Sequence, residues 1–354
     1  MKKLIISIIG TLSSLAFSSN VFAALPEPEP AAAPAAQCSI TFGTGPAGKG
    51  YSKMYANFHT MCPQIPTCEQ TSEGALDNLD LLISKKADVA LTGAFTLSNM
   101  LGGDEQYKQI QVVSSLHSNL VHILTMSNGF TTPGAMVAGA PVKNPKYSQF
   151  NPLSKEPEMI PGPMVAGPAN RVEINKFTDL KGRPVGLVGS AQFIARKLDK
   201  TAGHNMAFTD YENDQKAMAD LKAGKIYAVL TVAAWPHGVI DKLKSDSGYK
   251  LVNYDLQPTA PLSVVKKAYK GLGQFNVELL AEPNLLVTRP FSAGGENAKL
   301  VAAIKSCLVT NIGKFKDGKF EAAWNEVNDM GQTYNLPAFN APGASGAKTV
   351  VKKP

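Results

Sequence analysis

Two rhythms of apolar residues organise this chain, an alternation suited to strands and a three-to-four spacing suited to helices. Residues 39–42 read as a short strand, 43–50 as a glycine loop and 51–61 as a helix. Residues 67–71 read as a second strand. Residues 74–86 return apolar side chains at helical spacing through Leu76, Leu79, Leu82 and Ile83, and 88–91 form a third strand. This alternation predicts a parallel sheet with right-handed crossovers. A second such pattern follows later: a strand at 184–188, a helix at 192–202, an acidic turn at 210–214, a helix at 215–223 and a strand at 226–232. Between the two, residues 110–126 make one long strand or two joined strands, able to carry the chain from one lobe to another. Helices at 298–312 and 320–329 close the fold.

The stretch 128–175 turns to Pro, Gly, Met and Asn, which predicts a long surface insertion or lid. Residues 24–36 are Pro/Ala-rich and read as an extended tether, and the small, polar, basic tail from Ala341 reads as disordered. At the amino end Lys2 and Lys3 precede an apolar run over 4–17, and Val21-Phe22-Ala23 places small side chains where a signal peptidase reads. The reading is a signal peptide cleaved after Ala23 and a periplasmic destination. The run contains Gly10, Thr11, Ser13 and Ser14 and is shorter than the ~20 residues a spanning helix needs.

The chain has 354 residues, more than one hydrophobic core usually serves, so two lobes are expected. Its net charge is +7, two units of which belong to Lys2 and Lys3. The remainder is scattered, which favours anionic partners only weakly, and no Arg-rich stripe with interleaved aromatics supports nucleic-acid binding. Cys38, Cys62, Cys68 and Cys307 are an even set in an exported chain, which points to disulfides with three possible pairings. Cys62 and Cys68 flank a short loop that can close locally, which leaves Cys38 with Cys307. Neither a CxxC nor a Cys/His cluster supports a metal site.

Gly43-Thr44-Gly45-Pro46-Ala47-Gly48 satisfies GxGxxG between a strand and a helix, and Glu69 follows in the next strand. Those are the parts of a dinucleotide fingerprint. Free backbone N–H groups at a helix start serve any anion, however. Export removes the protein from the main NAD pool, and no hydride-transfer constellation is evident. A carboxylate or other small ligand is therefore read here, and no cofactor is expected.

Several segments in order resemble the extracytoplasmic solute receptors of TRAP transporters, in the TAXI branch. GTGPAGKGYSK, from Gly43, stands where that family has a GTGGTGGTYYP-like stretch. Gly74-Ala75-Leu76-Asp77-Asn78-Leu79 and then Ala87-Asp88-Val89-Ala90 resemble its GSxENL and A-D-[LIV]-A signatures. Asp179-Leu180-Lys181-Gly182-Arg183-Pro184-Val185 through Gly189-Ser190 to Thr201-Ala202-Gly203 resembles the start of its second lobe, and 221–236 echoes its LKxGKIDAxxxVAGxP stretch. The resemblance runs over roughly residues 38–330.

It implies an α/β fold of the periplasmic-binding-protein type II, two α/β lobes around a ligand cleft. On that basis residues 37–125 are the first part of lobe 1, 126–175 the insertion, 176–265 lobe 2 and 266–340 a return to lobe 1, ahead of the tail at 341–354. The ligand residues carried over are Thr44, Gly45 and Tyr51 from the first loop, Asn78 from the second helix, Ser190 and Gln192 from the second-lobe turn, and Trp235 and Pro236 from the last. His117 stands where the family often places a cleft residue. His122, five positions on, falls on the opposite face of a continuous strand, so the two histidines are not expected to share a metal. Three positions depart from the family: Ala75 replaces a serine, Gly93-Ala94-Phe95 replaces a polar strand end, and Tyr51-Ser52 replaces a tyrosine pair.

The function implied is a receptor that captures a small organic anion, a carboxylate or amino acid, and delivers it to membrane transporter subunits. The missing donors support an alternative, a receptor-like scaffold for periplasmic signalling or protein interaction. An enzyme is not expected, since no nucleophile with an ordered base, catalytic carboxylate pair or metal-ligand spacing is evident.

Overall fold

A computed structural model describes residues 38–143 and 159–341. The predicted signal peptide, the tether and nearly all of the tail lie outside the described residues. The chain begins with β1 (Ile40–Gly43), α1 (Gly50–Met61), β2 (Thr67–Gln70), α2 (Ala75–Ile83), β3 (Val89–Gly93) and α3 (Ala94–Leu101). β1 lies between β2 and β3 and runs parallel to both. The helical spacing in α1 turns Met54, Tyr55 and Phe58 onto the sheet.

The long strand β4 (Gln111–Met126) is continuous. Among the described residues, the segment after it pairs only with itself, as an antiparallel ribbon: β5 (Phe130–Thr132), β6 (Met136–Ala138), β7 (Val142–Lys143), β8 (Met159–Ile160), β9 (Met164–Ala166) and β10 (Asn170–Val172). The second parallel unit follows as β11 (Pro184–Val188), α4 (Ala191–Ala202), β12 (Ala207–Tyr211), α5 (Asp214–Lys222) and β13 (Ala228–Ala233). Gly203 ends α4 in the left-handed conformation that favours glycine, with φ of 63°. Asn213 starts α5 by accepting a hydrogen bond from Lys216 N. β14 (Tyr249–Leu251), β15 (Ser263–Tyr269), the second long strand β16 (Gln274–Thr288) and α6 (Glu296–Phe315) complete the chain.

The main sheet has ten strands, eight of them in the order β12-β11-β13-β4-β16-β3-β1-β2, with β14 and β15 pairing to β4 and β16. Two parallel triplets thus flank two long strands that are antiparallel to each other and to both neighbours. This is the two-lobed α/β arrangement with crossing strands expected of the periplasmic-binding-protein type II. Two apolar clusters cover lobe 1, one built on α1 and α6 and the other on α2 and α3. A third fills lobe 2 around α4, α5 and the far ends of β4 and β16.

The disulfides differ from the local closure expected for Cys62 and Cys68. Cys38 bonds Cys68 and Cys62 bonds Cys307. Parallel pairing of β1 with β2 places Thr41 beside Cys68 and brings the start of β1 near that strand. Cys62, at the carboxyl end of α1, instead faces α6. The helix read over 320–329 is only a short 3-10 turn, Ala322–Glu326. The residues read as an acidic turn at 210–214 include the end of β12.

Candidate functional site

The crossing strands carry polar residues at the lobe junction, where apolar ones would ordinarily stand. On β4 these are His117 and Asn119, and on β16 Glu282 and Asn284, all buried. Asn119 and Glu282 face each other in register, and the ladder shifts just beyond at Pro283, which has no N–H to give it. Glu282 accepts from Thr96 N at 2.8 Å and Thr96 Oγ1 at 2.9 Å, so its carboxylate occupies the amino end of α3. Gly93 permits this approach, since a Cβ there would lie 1.9 Å from Glu282 Oε1. Burial pushes the Glu282 carboxyl up to about 7, against the hydrogen bonds from Thr96.

His117 Nε2 pairs with Asn119 Oδ1 at 3.1 Å, and Asn119 Nδ2 donates to the Tyr51 hydroxyl at 2.8 Å. Burial lowers His117 to about 4, so the ring is neutral near pH 7. Burial raises the Tyr51 phenol, and the nearby Glu282 raises it further. The buried His117, Asn119 and Glu282 and the half-buried Tyr51 therefore form one polar group between α1, α3 and the crossing strands.

A second group lies toward lobe 2. His122 pairs with the Tyr269 hydroxyl, and its ring meets that of His237 edge-on, with centroids 4.9 Å apart. Burial lowers both histidines. His122 turns away from His117, as expected for opposite faces of β4. Among the described residues no group of three or more His, Cys, Asp or Glu is placed to hold a metal.

The turns preceding α2 and α4 meet across the junction. A Cβ on Gly74 would lie 3.1 Å from Ser190 Oγ, so the lobes touch there. Gly74 caps α2 and Ser190 caps α4, and neither contributes a side-chain cap hydrogen bond. Two helix amino ends from different lobes thus converge, each with N–H groups that a helix leaves unpaired. Gln192, in the first turn of α4, is half-buried at the same place.

Other carried-over residues are committed to the fold. Thr44 Oγ1 donates to Glu69 Oε1 at 2.6 Å, linking the first loop to β2. Gly45 is buried beneath Tyr51, whose Cβ would be 3.7 Å from a Cβ on the glycine. Asn78 Nδ2 donates to Leu91 O at 2.6 Å and its Oδ1 accepts from Ser72 Oγ, tying α2 to β3. Trp235 is half-buried against the lobe 2 core, with Lys267 Nζ 4.5 Å from the ring centroid. The exposed Pro236 follows through a cis peptide bond. Lys267 also pairs with Glu326, part of the segment packed on lobe 1. Phe95 is buried in the cluster that forms the core of lobe 2. A recess of about 290 Å³ lined by Leu82, Gln106 and Arg289 lies at the opposite end of α2 from Gly74.

No family model and no curated protein matches the chain by sequence. Among solved structures it is similar to an ancestral arginine-binding protein bound to arginine, at 15% identity and a TM-score of 0.43, over 82% of this chain and 98% of that one. It is also similar to an arginine transport periplasmic binding protein from Legionella pneumophila, at 13% identity and a TM-score of 0.40, over 82% and 100% of the two chains. An amino acid ABC transporter substrate-binding protein from Streptococcus pneumoniae, bound to L-arginine, matches at 12% identity and a TM-score of 0.45, over 81% and 94%. Likenesses this distant assign neither a ligand nor a transporter class.

Sequence reasoning missed Glu282, Asn119 and Thr96. A Glu-Pro-Asn triplet inside an otherwise apolar strand, residues 282–284, is the signal that marks the first.

Proposed function

We propose that this protein is an extracytoplasmic solute-binding receptor that holds a small organic anion, a carboxylate or amino acid, between its two lobes. The observation that carries the reading is the convergence of the α2 and α4 amino ends at Gly74 and Ser190. Two helix dipoles with unpaired N–H groups favour an anion between them, and lobe closure removes water that would weaken those bonds. Ser190 and Gln192 supply side-chain donors from lobe 2. On lobe 1, Tyr51 supplies a wall with a polar edge, backed by His117 and Asn119. Delivery to a TRAP-type transporter rests on the TAXI-like motifs quoted above. The disulfides fit an oxidising compartment.

A second reading, a receptor-like scaffold with altered or lost small-ligand binding, is favoured by Phe95. An aromatic side chain that joins the lobe 2 core from α3 holds the lobes together without a ligand. A thermal-denaturation panel of carboxylates and amino acids separates the two. The receptor predicts a rise in Tm with at least one member. A flat panel, with a specific protein partner recovered from periplasm, would favour the scaffold.

A further inference from the structure

Glu282 is the sole carboxylate among the buried side chains of the described residues, with 1% of its surface exposed. Two partly buried acids elsewhere hold a cation: Asp88 pairs with Arg289 and Glu326 with Lys267. Glu282 holds none. Among the described residues no Lys, Arg or His comes within ion-pair distance of it. Its partners are neutral. Thr96 N and Thr96 Oγ1 both donate to Oε1, and the Phe95 N–H faces the carboxylate as well. Asn119, directly across the ladder, spends its amide on Tyr51 and its carbonyl on His117. The amino end of α3 offsets only part of the charge, about half an elementary unit.

A buried charge without a counter-charge is costly, yet the fold builds a seat for this one. A Cβ on Gly93 would lie 1.9 Å from Oε1 and 2.3 Å from Oε2, so the whole carboxylate rests against a residue with no side chain. Gly93 has φ of −86°, open to any residue, so the glycine serves this contact and not the turn. Thr92 Oγ1 donates to Ala75 O at 2.9 Å, which sets the amino ends of α2 and α3 side by side on lobe 1. Gly74, next to Ala75, meets Ser190 of lobe 2, and Phe95, in the first turn of α3, packs into the lobe 2 core. Three helix amino ends therefore reach the lobe junction. Those of α2 and α4 lack side-chain caps, whereas that of α3 is filled by the protein's own carboxylate. The half-buried Tyr51 lies within the field of Glu282, which helps to raise its phenol, so the charge acts on a side chain that solvent reaches.

We propose that Glu282 selects ligands by charge: the cleft takes one carboxylate at the α2 and α4 ends, favours a positive group toward lobe 1, where Glu282 lacks a cation, and refuses a second carboxylate there. The proposal rests on the receptor reading above. In a junction of low dielectric a buried charge attracts or repels over several ångströms and is little screened by salt. Selection of this kind comes as much from the repelled group as from the attracted one. A zwitterion such as an amino acid meets both demands, and a dicarboxylate fails one of them.

Three probes of one chain length separate the charges: 4-aminobutyrate, butyrate and succinate, each titrated calorimetrically into the purified protein at pH 8, where the Glu282 carboxyl is mostly ionised. The expected order of affinity is 4-aminobutyrate, then butyrate, then succinate, with at least about tenfold between first and last. Glu282→Gln keeps an acceptor for Thr96 and should bring the first and last within about threefold of each other. Circular dichroism checks its folding, and the wild-type order is a test that needs no variant. Ethylammonium chloride, compared with sodium chloride at equal ionic strength, supplies the positive group without a carboxylate. It should raise the Tm of the wild type and not that of Glu282→Gln. Succinate bound as tightly as 4-aminobutyrate by the wild type, or an order unchanged in Glu282→Gln, would overturn the charge selection and leave the receptor standing. A Glu282-dependent response to ethylammonium with no binding of the three carboxylates would support the charge selection and count against the receptor. No response in either arm would overturn the proposal.

Discussion

Glu282 and His117 are buried within one polar group and respond to pH in opposite senses. The Glu282 carboxyl rises from 4.5 to about 7 on folding. Its contribution to stability is fully present below about 4.5 and is lost as pH rises through 7, a loss of about 3 kcal/mol at most. His117 falls from 6.5 to about 4. Its contribution is fully present above 6.5 and is lost as pH falls toward 4. The two slopes cancel between them in the wild-type protein. Glu282→Gln keeps an acceptor for Thr96 and removes one slope. Its stability relative to wild type should therefore rise by about 3 kcal/mol between pH 4.5 and pH 8, read from urea denaturation at each pH. A pH-independent difference would contradict the burial of an ionisable carboxyl there. Phe95 is the apolar counterpart. Phe95→Ala should cost about 3–5 kcal/mol through the cavity left in the core of lobe 2, and chemical denaturation measures it.

Among elements, the parallel triplets were the most legible, because β1 to β3 and β11 to β13 alternate with helices at clear apolar spacing. β16 was not legible. Glu282, Pro283 and Asn284 interrupt its apolar pattern, and only its pairing with both β3 and β4 keeps it one strand. α3 escaped notice because Gly93-Ala94-Phe95 was read as the end of a strand, whereas Gly93 caps a new helix. The ribbon read as an insertion without strands, since its prolines mask the alternation. The disulfides could not be assigned from spacing, because the partner of Cys62 is 245 residues away. That separation has a thermodynamic consequence. A longer closed loop restricts the unfolded chain more, so removing Cys62–Cys307 should cost about 2 kcal/mol more than removing Cys38–Cys68, whose separation is 30. Paired Cys→Ala variants compared by urea denaturation check this, and equal costs would contradict it.

Over the whole molecule, the crossing strands bring together residues that the sequence keeps far apart. Tyr51, His117 and Asn119 meet at the junction through two hydrogen bonds. Thr44 and Asn78 do not join them as donors, because Glu69, Ser72 and Leu91 already satisfy their side chains. The proposed ligand site at the two helix ends is mostly backbone, and backbone donors leave no residue signature in a sequence. Ser190 is the side chain closest to that convergence from lobe 2, and a large group there would hold the lobes apart at Gly74. The most direct measurement is calorimetric titration of the panel member giving the largest thermal shift into wild type and Ser190→Trp. The account predicts one site per chain in the wild type and affinity at least a hundredfold weaker in the variant. Equal affinity in both, or a wild type that binds no carboxylate or amino acid, would contradict it.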